Sequence, residues 1–540
     1  MNSEKKENAI DLSYHISDLA RSRQTSPLKG LSKYMGRPGV ISLAGGLPSA
    51  AYFPFSTISG EALVSESFPV SVAEQSSSLS WLWKIFGASS PSKEKTSHLS
   101  IPKYPSRPDE VNLSAALQYG TATGLPQLQG FLKDFVDRVY QPAYSDYTTL
   151  VHTGNTDGWS RVASTLCNPG EGILTEEWTY PSALASVAPV GIQAVPIAMD
   201  KEGMRSDSLR ATLEQWDEKV RGIPRPHVMY TVPIGQNPSG ATMGLSRKKE
   251  IYDICVEYDV IIVEDDPYFF LQEGQYIPKA RRVPEVPSTT LDAESRYISS
   301  LAPSYLRIDY QGRVVRLDTF SKTIAPGSRL GWFTCNPVFA ERLERAGEVS
   351  TQAPCGFGQS LITQLLINWK YDGYIRWLRG LGAQYKMRRD YFIDCLLDEF
   401  DVKPSVATEG CWTGCDVYVA FSKPPSQGSV MSEKSVALRK PLFSFVPPTS
   451  GMFVWLKIHF QSYPSYGDRD ETLEMKLWVA LAEAGVVLGP GWFFAADIED
   501  SPDGARDGHF RISFSNAELD DLKKATQIFA RIVGEFFDTS

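Results

Sequence analysis

The sequence predicts an α/β chain: a mostly parallel sheet covered by helices, followed by a smaller α+β domain. Three observations predict it. Short apolar runs, HVMYTV (227–232), VIIV (260–263) and RVVRL (312–316), each end in polar or turn residues; such runs fit strands buried on both faces. GLPQLQGFLKDFVDRVY (124–140) spaces Leu125, Leu128, Phe131, Leu132, Phe135 and Val139 along one helical face. After about residue 355, helical segments lead to a β-like PTSGMFVWLKI (448–458) and a closing helix, AELDDLKKATQIFARIVGEFF (517–537).

The 540 residues suffice for more than one domain, and 42% hydrophobic with 22% charged is ordinary for a globular chain. A net charge of -9 without a Lys/Arg stripe argues against nucleic acid as partner. No run of about 18 apolar residues predicts a membrane span. The first residues, MNSEKKENAIDLSYHISDLARSRQ, lack the apolar centre of a signal peptide, and their acids disfavour a transit peptide. Seven scattered cysteines suggest reduced thiols and a cytoplasmic setting. Cys411 and Cys415 have no second Cys/His pair nearby, so no metal site is expected.

Four segments follow from composition. Residues 1–65 form an N-terminal segment expected to join the small domain, and 66–110 read as an insertion, Ser/Lys/Pro-rich around SWLWKIF. Residues 111–360 form the large ligand-binding domain. Residues 361–540 form the small α+β domain, with a second insertion at about 404–440.

In an open α/β sheet, ligands bind beyond the carboxyl ends of the strands. HVMYTV is followed by PIGQNPSG, which offers Asn237. VIIV is followed by EDDPYFF, with Asp265 and Tyr268. RVVRL leads to DTFSKTIAPGSR, with Thr319, Ser321, Lys322 and Arg329. Upstream, LVHTGNTDGWSRVASTL has the form strand, turn, helix, which makes an anion site at a helix N-terminus. An amide, an acid, a phenol, an amine, hydroxyls and a guanidinium thus converge, and pyridoxal phosphate would use them all. Its aldehyde needs a lysine, its pyridine nitrogen a carboxylate, and its phosphate helix N–H groups, hydroxyls and an arginine.

With these residues in place, the chain resembles the fold-type I, class I/II aminotransferases. The similarity is to the branch of kynurenine/2-aminoadipate and fungal aromatic amino acid aminotransferases. It runs from about residue 25 to 535 outside the insertions, through SLAGGLP (42–48), LQYGTATGLPQL (117–128), TGNT (153–156), NPSG (237–240), EDDPYFFL (264–271), DTFSKTIAPGSRLGW (318–332), GMFVWLK (451–457) and FRISFS (510–515).

The resemblance implies that Lys322 takes the aldehyde covalently and, once freed, moves the substrate's proton. It implies that Asp265 pairs with the pyridine nitrogen, that Tyr268 and Asn237 bond the phenolic oxygen, and that Tyr180 stacks on the ring. Asn155 and Thr156 would bind phosphate with Thr319, Ser321 and Arg329. Tyr119 would reach the phosphate from a partner subunit, making the active unit a homodimer. Arg511 would grip the substrate α-carboxylate as a bidentate fork. Gly46 would lie under the substrate, and Lys29, in the candidate N-terminal lid SPLK, near its side chain.

Lysine at position 29, where the kynurenine/2-aminoadipate branch often carries arginine, favours aromatic substrates. The expectation is a cytoplasmic enzyme moving the amino group of Phe, Tyr and Trp to a 2-oxo acid such as 2-oxoglutarate, ping-pong through pyridoxamine phosphate. The alternatives are 2-aminoadipate, kynurenine or secondary-metabolic tryptophan transamination on the same fold and, more remotely, a non-enzymatic coenzyme-binding regulator.

Overall fold

The computed structural model describes residues 6–24, 39–41, 43, 46–70, 94–283, 293–408, 410–423, 440–463, 473–496 and 508–538. Two strands come first, Thr57–Leu63 (β1) and Thr96–Pro102 (β2), paired antiparallel. The main sheet contains Thr148–His152 (β3), Gly172–Glu176 (β4), Gln193–Ile197 (β5), Val228–Thr231 (β6), Ile261–Asp265 (β7), Val314–Thr319 (β8) and Gly331–Cys335 (β9). Their spatial order is β3-β9-β8-β7-β6-β4-β5. Only β9 runs against its neighbours; β8, β7, β6, β4 and β5 pair in parallel.

The continuous apolar runs are explained by burial on both faces. Val314, Ile262 and Met229 enter one core, whereas Val315, Ile261, Val263 and Val228 enter the other, all 0% exposed. Helix Pro126–Val139 (α1) buries Leu128, Leu132, Phe135 and Val139 of the predicted face together with Val136, while Leu125 and Phe131 are half-buried; Pro126 lies in its first turn, where no N–H is needed. Asn155–Leu166 (α2), Pro181–Val187 (α3), Leu245–Glu257 (α4) and Pro337–Glu348 (α5) complete the layers.

The same alternation divides the EDD run at the end of β7. Asp265 faces α2, and Glu264 and Asp266 face the opposite side, where Arg316 of β8 is fully buried. The Arg316 guanidinium lies 3.0 Å from both Glu264 and Asp266 and 2.9 Å from Asp318, and its Cζ is 4.0 Å from the Tyr140 ring centroid. One guanidinium thus offsets several acids that would otherwise be costly to bury. Tyr140 completes the set by donating to Asp318 Oδ1 at 2.7 Å.

Gly356–Glu399 (α6) bends at Lys370, whose φ of 57° and ψ of -178° interrupt the helix. Before the bend, Ile362, Leu366 and Trp369 pack into the large core; beyond it, Phe392, Ile393 and Leu396 pack into the small one. The helix therefore runs across the boundary expected at 360/361 and couples the two units.

The second sheet is antiparallel throughout: Asp401–Val406 (β10), Asp416–Phe421 (β11), Phe443–Phe445 (β12), Phe453–Ile458 (β13), Gly489–Pro490 (β14) and Gly508–Ser513 (β15), in the order β10-β11-β12-β13-β15-β14. Leu519–Asp538 (α7) buries Leu522, Phe529, Val533 and Phe537 in its core. Each such side chain contributes about 1.5–3 kcal/mol.

Three expectations change. Residues 6–24 lie on the large unit and not the small one: Ile10 N–H donates to Gln311 O at 3.0 Å and Ser17 N–H to Thr165 O at 2.8 Å. Leu12, Ile16 and Ala20 are the apolar side chains that dock there. Part of the expected 66–110 insertion is β2, whose alternating Leu99 and Ile101 point inward; the Ser-rich flanks conceal that period. Residues 404–421 likewise belong largely to β10 and β11. SWLWKIF and SPLK, with Lys29, lie outside the described residues.

Candidate active site

The site forms where β6, β7 and β8 end and α2 begins. Asp265, 5% exposed, ends β7. Asn155 Nδ2 donates to its Oδ1 and Tyr230 Oη donates to its Oδ2, both at 2.6 Å. Burial raises the Asp265 pKa, and these two hydrogen bonds oppose the rise by favouring the ionised form.

Lys322 sits in the turn after β8. Burial lowers its pKa, and the nearby charges of Arg511 and Arg329 lower it further. The charges of two guanidiniums thus bear on the amine, in surroundings that favour its neutral form.

The remaining loop groups gather at the start of α2. Thr319 Oγ1 and Ser321 Oγ are 2.8 Å apart, and Ser321 N–H donates to Thr319 Oγ1 at 3.1 Å. Arg329 Nη1 donates to Ser321 Oγ at 3.4 Å. Arg329 has φ of 45°, a left-handed conformation that costs a non-glycine residue about 1–2 kcal/mol. That turn folds its guanidinium against Gly154, which precedes α2 with φ of 102°; a Cβ at Gly154 would fall on the guanidinium. Hydroxyls, a guanidinium and the free N–H groups of the α2 first turn, including Thr156, make an anion cradle.

Arg511 projects from β15. Its Nη1 donates to Asn237 Oδ1 at 2.8 Å. Its guanidinium carbon lies 4.4 Å from the Phe453 ring centroid and 4.7 Å from that of Phe494, and its buried Nε has no partner among the described residues. Packed between rings, the fork has one donor committed and others open to a ligand. Tyr268, 5% exposed, lies edge-on to Phe453 with centroids 5.8 Å apart. Tyr180 stands before α3, close enough to Tyr268, Tyr230 and Arg511 to act on their titration.

Lys322, Asp265, Asn155, Thr156, Tyr180, Asn237, Tyr268, Thr319, Ser321, Arg329 and Arg511 thus converge across three strand ends, a helix start and the small sheet. The Asn155 side chain holds Asp265 and leaves its backbone N–H, the group expected to meet the phosphate, for an anion. Tyr119 is 67% exposed and lines another cleft, and a Cβ at Gly46 would meet nothing within 4 Å. In one chain, therefore, neither joins the group. Tyr230 was missed, because within VMYT it reads as one more sheet residue. Its signal was weak: it lies on the same face of its strand as Asp265 does on the next.

This donor set suits pyridoxal phosphate: an amine of reduced basicity, a buried ionisable acid held by two donors, and an anion cradle. The chain belongs to the class I and II aminotransferases, the family whose model matches residues 108–529. It is an enzyme of that class, and its cofactor is pyridoxal phosphate.

Among particular proteins, it is similar to aromatic amino acid aminotransferase C56E4.03 of Schizosaccharomyces pombe, 34% identical over 534 residues and 98% of each chain. It is also 34% identical over 507 residues to L-tyrosine:2-oxoglutarate aminotransferase amt1 of Serpula lacrymans, across 91% of this chain and 85% of that one. The crystal structure of aminotransferase Aro8 from Candida albicans superposes with a TM-score of 0.80 at 32% identity, covering 98% of this chain and 100% of that one.

Proposed function

We propose that this chain moves the amino group of aromatic L-amino acids (Phe, Tyr and Trp) to a 2-oxo acid such as 2-oxoglutarate, in two half-reactions. The observation that carries the reading is the Arg511 fork held between Phe453 and Phe494, beside an amine poised by Arg511 and Arg329. It supplies a carboxylate grip lined with apolar rings, against which an aromatic side chain packs well. The names of relatives at 34% identity, an aromatic amino acid aminotransferase and an L-tyrosine:2-oxoglutarate aminotransferase, support the same substrate class.

When bound, pyridoxal phosphate supplies an aldehyde that accepts the amino group and a ring that draws electrons from the reacting carbon. Arg511 binds the α-carboxylate and, with Asn237 on its Nη1, orients the Cα–H bond. Lys322 would take the proton from Cα and deliver it to the former aldehyde carbon in the first half-reaction, and run the same transfer in reverse in the second; its lowered pKa leaves more of the amine neutral for that task. Asp265 would pair with the ring nitrogen and stabilise positive charge there. Thr319, Ser321, Arg329 and the N–H groups of Asn155 and Thr156 would hold the phosphate. Tyr180 would cover the ring, and Tyr268 and Asn237 would serve its phenolic oxygen.

A second copy of this chain completes the unit. Tyr119 lines a cavity of ≈ 730 Å³ with Pro48, Gln118, Pro354 and Cys355. Tyr52, 86% exposed, lies on the adjoining surface, where Gln118 donates to Pro48 O and Phe55 packs on Phe357. A partner seated there would receive Tyr119 at its phosphate. The seven cysteines are all unbridged, in keeping with a cytoplasmic enzyme, and among the described residues no helix is long and apolar enough to cross a membrane.

An amino-donor panel against 2-oxoglutarate tests the specificity. Phenylalanine and tyrosine should exceed 2-aminoadipate in kcat/KM by about tenfold or more; the reverse order would remove the aromatic assignment. Sedimentation of the active protein should give a dimer, and full activity as a monomer would rule out the role given to Tyr119.

A further inference from the structure

Tyr230 is 1% exposed in the middle of the sheet, and its hydroxyl has one carboxylate to serve. It donates to Asp265 Oδ2 at 2.6 Å, a short, charge-assisted distance. Its ring lies against Trp159, with centroids 4.6 Å apart, and Trp159 is itself fixed by an Nε1–H bond to Ala183 O at 3.0 Å. On the other oxygen, Asn155 Nδ2 donates to Asp265 Oδ1 and also to Leu317 O at 3.1 Å. Each acceptor of the carboxylate therefore has a donor whose own position is set by packing or a second hydrogen bond.

We propose that Tyr230 is a positioning residue that, with Asn155, orients the Asp265 carboxylate and keeps it ionised for the coenzyme's ring nitrogen. This rests on the coenzyme-binding reading above. The physical need is specific. A carboxylate this deep in the sheet tends to take up a proton, since burial penalises its charge. Two short donors favour the anion, and neither carries a positive charge that would compete with a protonated pyridine. A lysine or arginine in place of Tyr230 would hold Asp265 ionised but would also repel the ring nitrogen's proton. Tyrosine is suited to this: burial raises its own pKa well above the ordinary value, so it stays a donor throughout the working range.

The test uses the full-length chain, as wild type and Tyr230→Phe, which removes only the hydroxyl. The coenzyme is removed, and rebinding of pyridoxal phosphate is titrated by absorbance and protein fluorescence. We expect Kd to rise by about tenfold, the equivalent of one hydrogen bond to a charged group. The acid limb of the kcat/KM profile should move up by about one pH unit, because losing a donor raises the pKa of Asp265 and protonates it at higher pH. The melting temperature of the coenzyme-free protein should stay near wild type.

Should Tyr230→Phe fail to fold, Asn155→Ala interrogates the other oxygen with the same two readouts. Wild type that binds the coenzyme while the folded variant shows unchanged Kd and acid limb would overturn the proposal alone. A lower melting temperature with an unmoved acid limb would overturn it too, by marking Tyr230 as packing only. Wild type indifferent to pyridoxal phosphate would instead overturn the parent reading.

Discussion

Lys322→Ala abolishes transamination: kcat falls by about 10⁴-fold or more, and borohydride no longer fixes the coenzyme to the chain, as read by intact mass. The argument is positional. The turn after β8 puts one amine within the electrostatic reach of both Arg511, which would hold the substrate, and Arg329, which would hold the phosphate. Proton transfer at Cα needs a base within hydrogen-bond reach of that carbon, and both guanidiniums keep their protons. Water cannot replace a base set at a fixed position without losing most of the effective concentration that positioning provides. Because Lys322 is only partly buried, its loss should leave the melting temperature near that of wild type. A variant that turned over at wild-type rate, or that still became covalently loaded, would refute the mechanism.

Asp265→Asn should cost about 10²–10⁴-fold in kcat, from an uncompensated charge worth about 3–5 kcal/mol. The substitution nearly preserves shape, so packing around β7 survives. What disappears is the negative charge that we propose pairs with the ring nitrogen, and with it the means of drawing electrons from the reacting carbon. The stability effect should have the other sign or be small. Burial raises the pKa of Asp265, so the fold resists its ionisation, and a neutral amide removes that cost. Falling kcat with an unchanged or higher melting temperature is therefore the expected pair of results. A stable variant with wild-type kcat would show that Asp265 is not the ring's partner.

Much of this site was legible in the chain because its groups sit at the ends of strands that announce themselves by composition. Asn237, Asp265 and Lys322 each follow a short apolar run, and a parallel sheet brings such ends to one edge. Arg511 was legible only by resemblance, for nothing in FRISFS says that β15 returns it to Asn237. Tyr230 and Arg316 were illegible for a related reason. Both lie inside apolar runs, and what they do depends on which strand becomes their neighbour. The docking of Leu12, Ile16 and Ala20 on the large unit was illegible too: Ile16 and Ser17 are extended between two short helical turns, so the three share no helical face that the sequence could announce.

By itself the sequence determined the fold class, the order of the strand-end groups and the chemistry they can perform, because period and residue type are local properties. The tertiary structure alone decided which acids share Arg316, that Asn155 and Tyr230 hold Asp265, and that Phe453 and Phe494 enclose Arg511. Those facts depend on strand order and on the face each side chain takes. Residues far apart along the chain meet only when a sheet of parallel strands and the sheet beyond it are both in place.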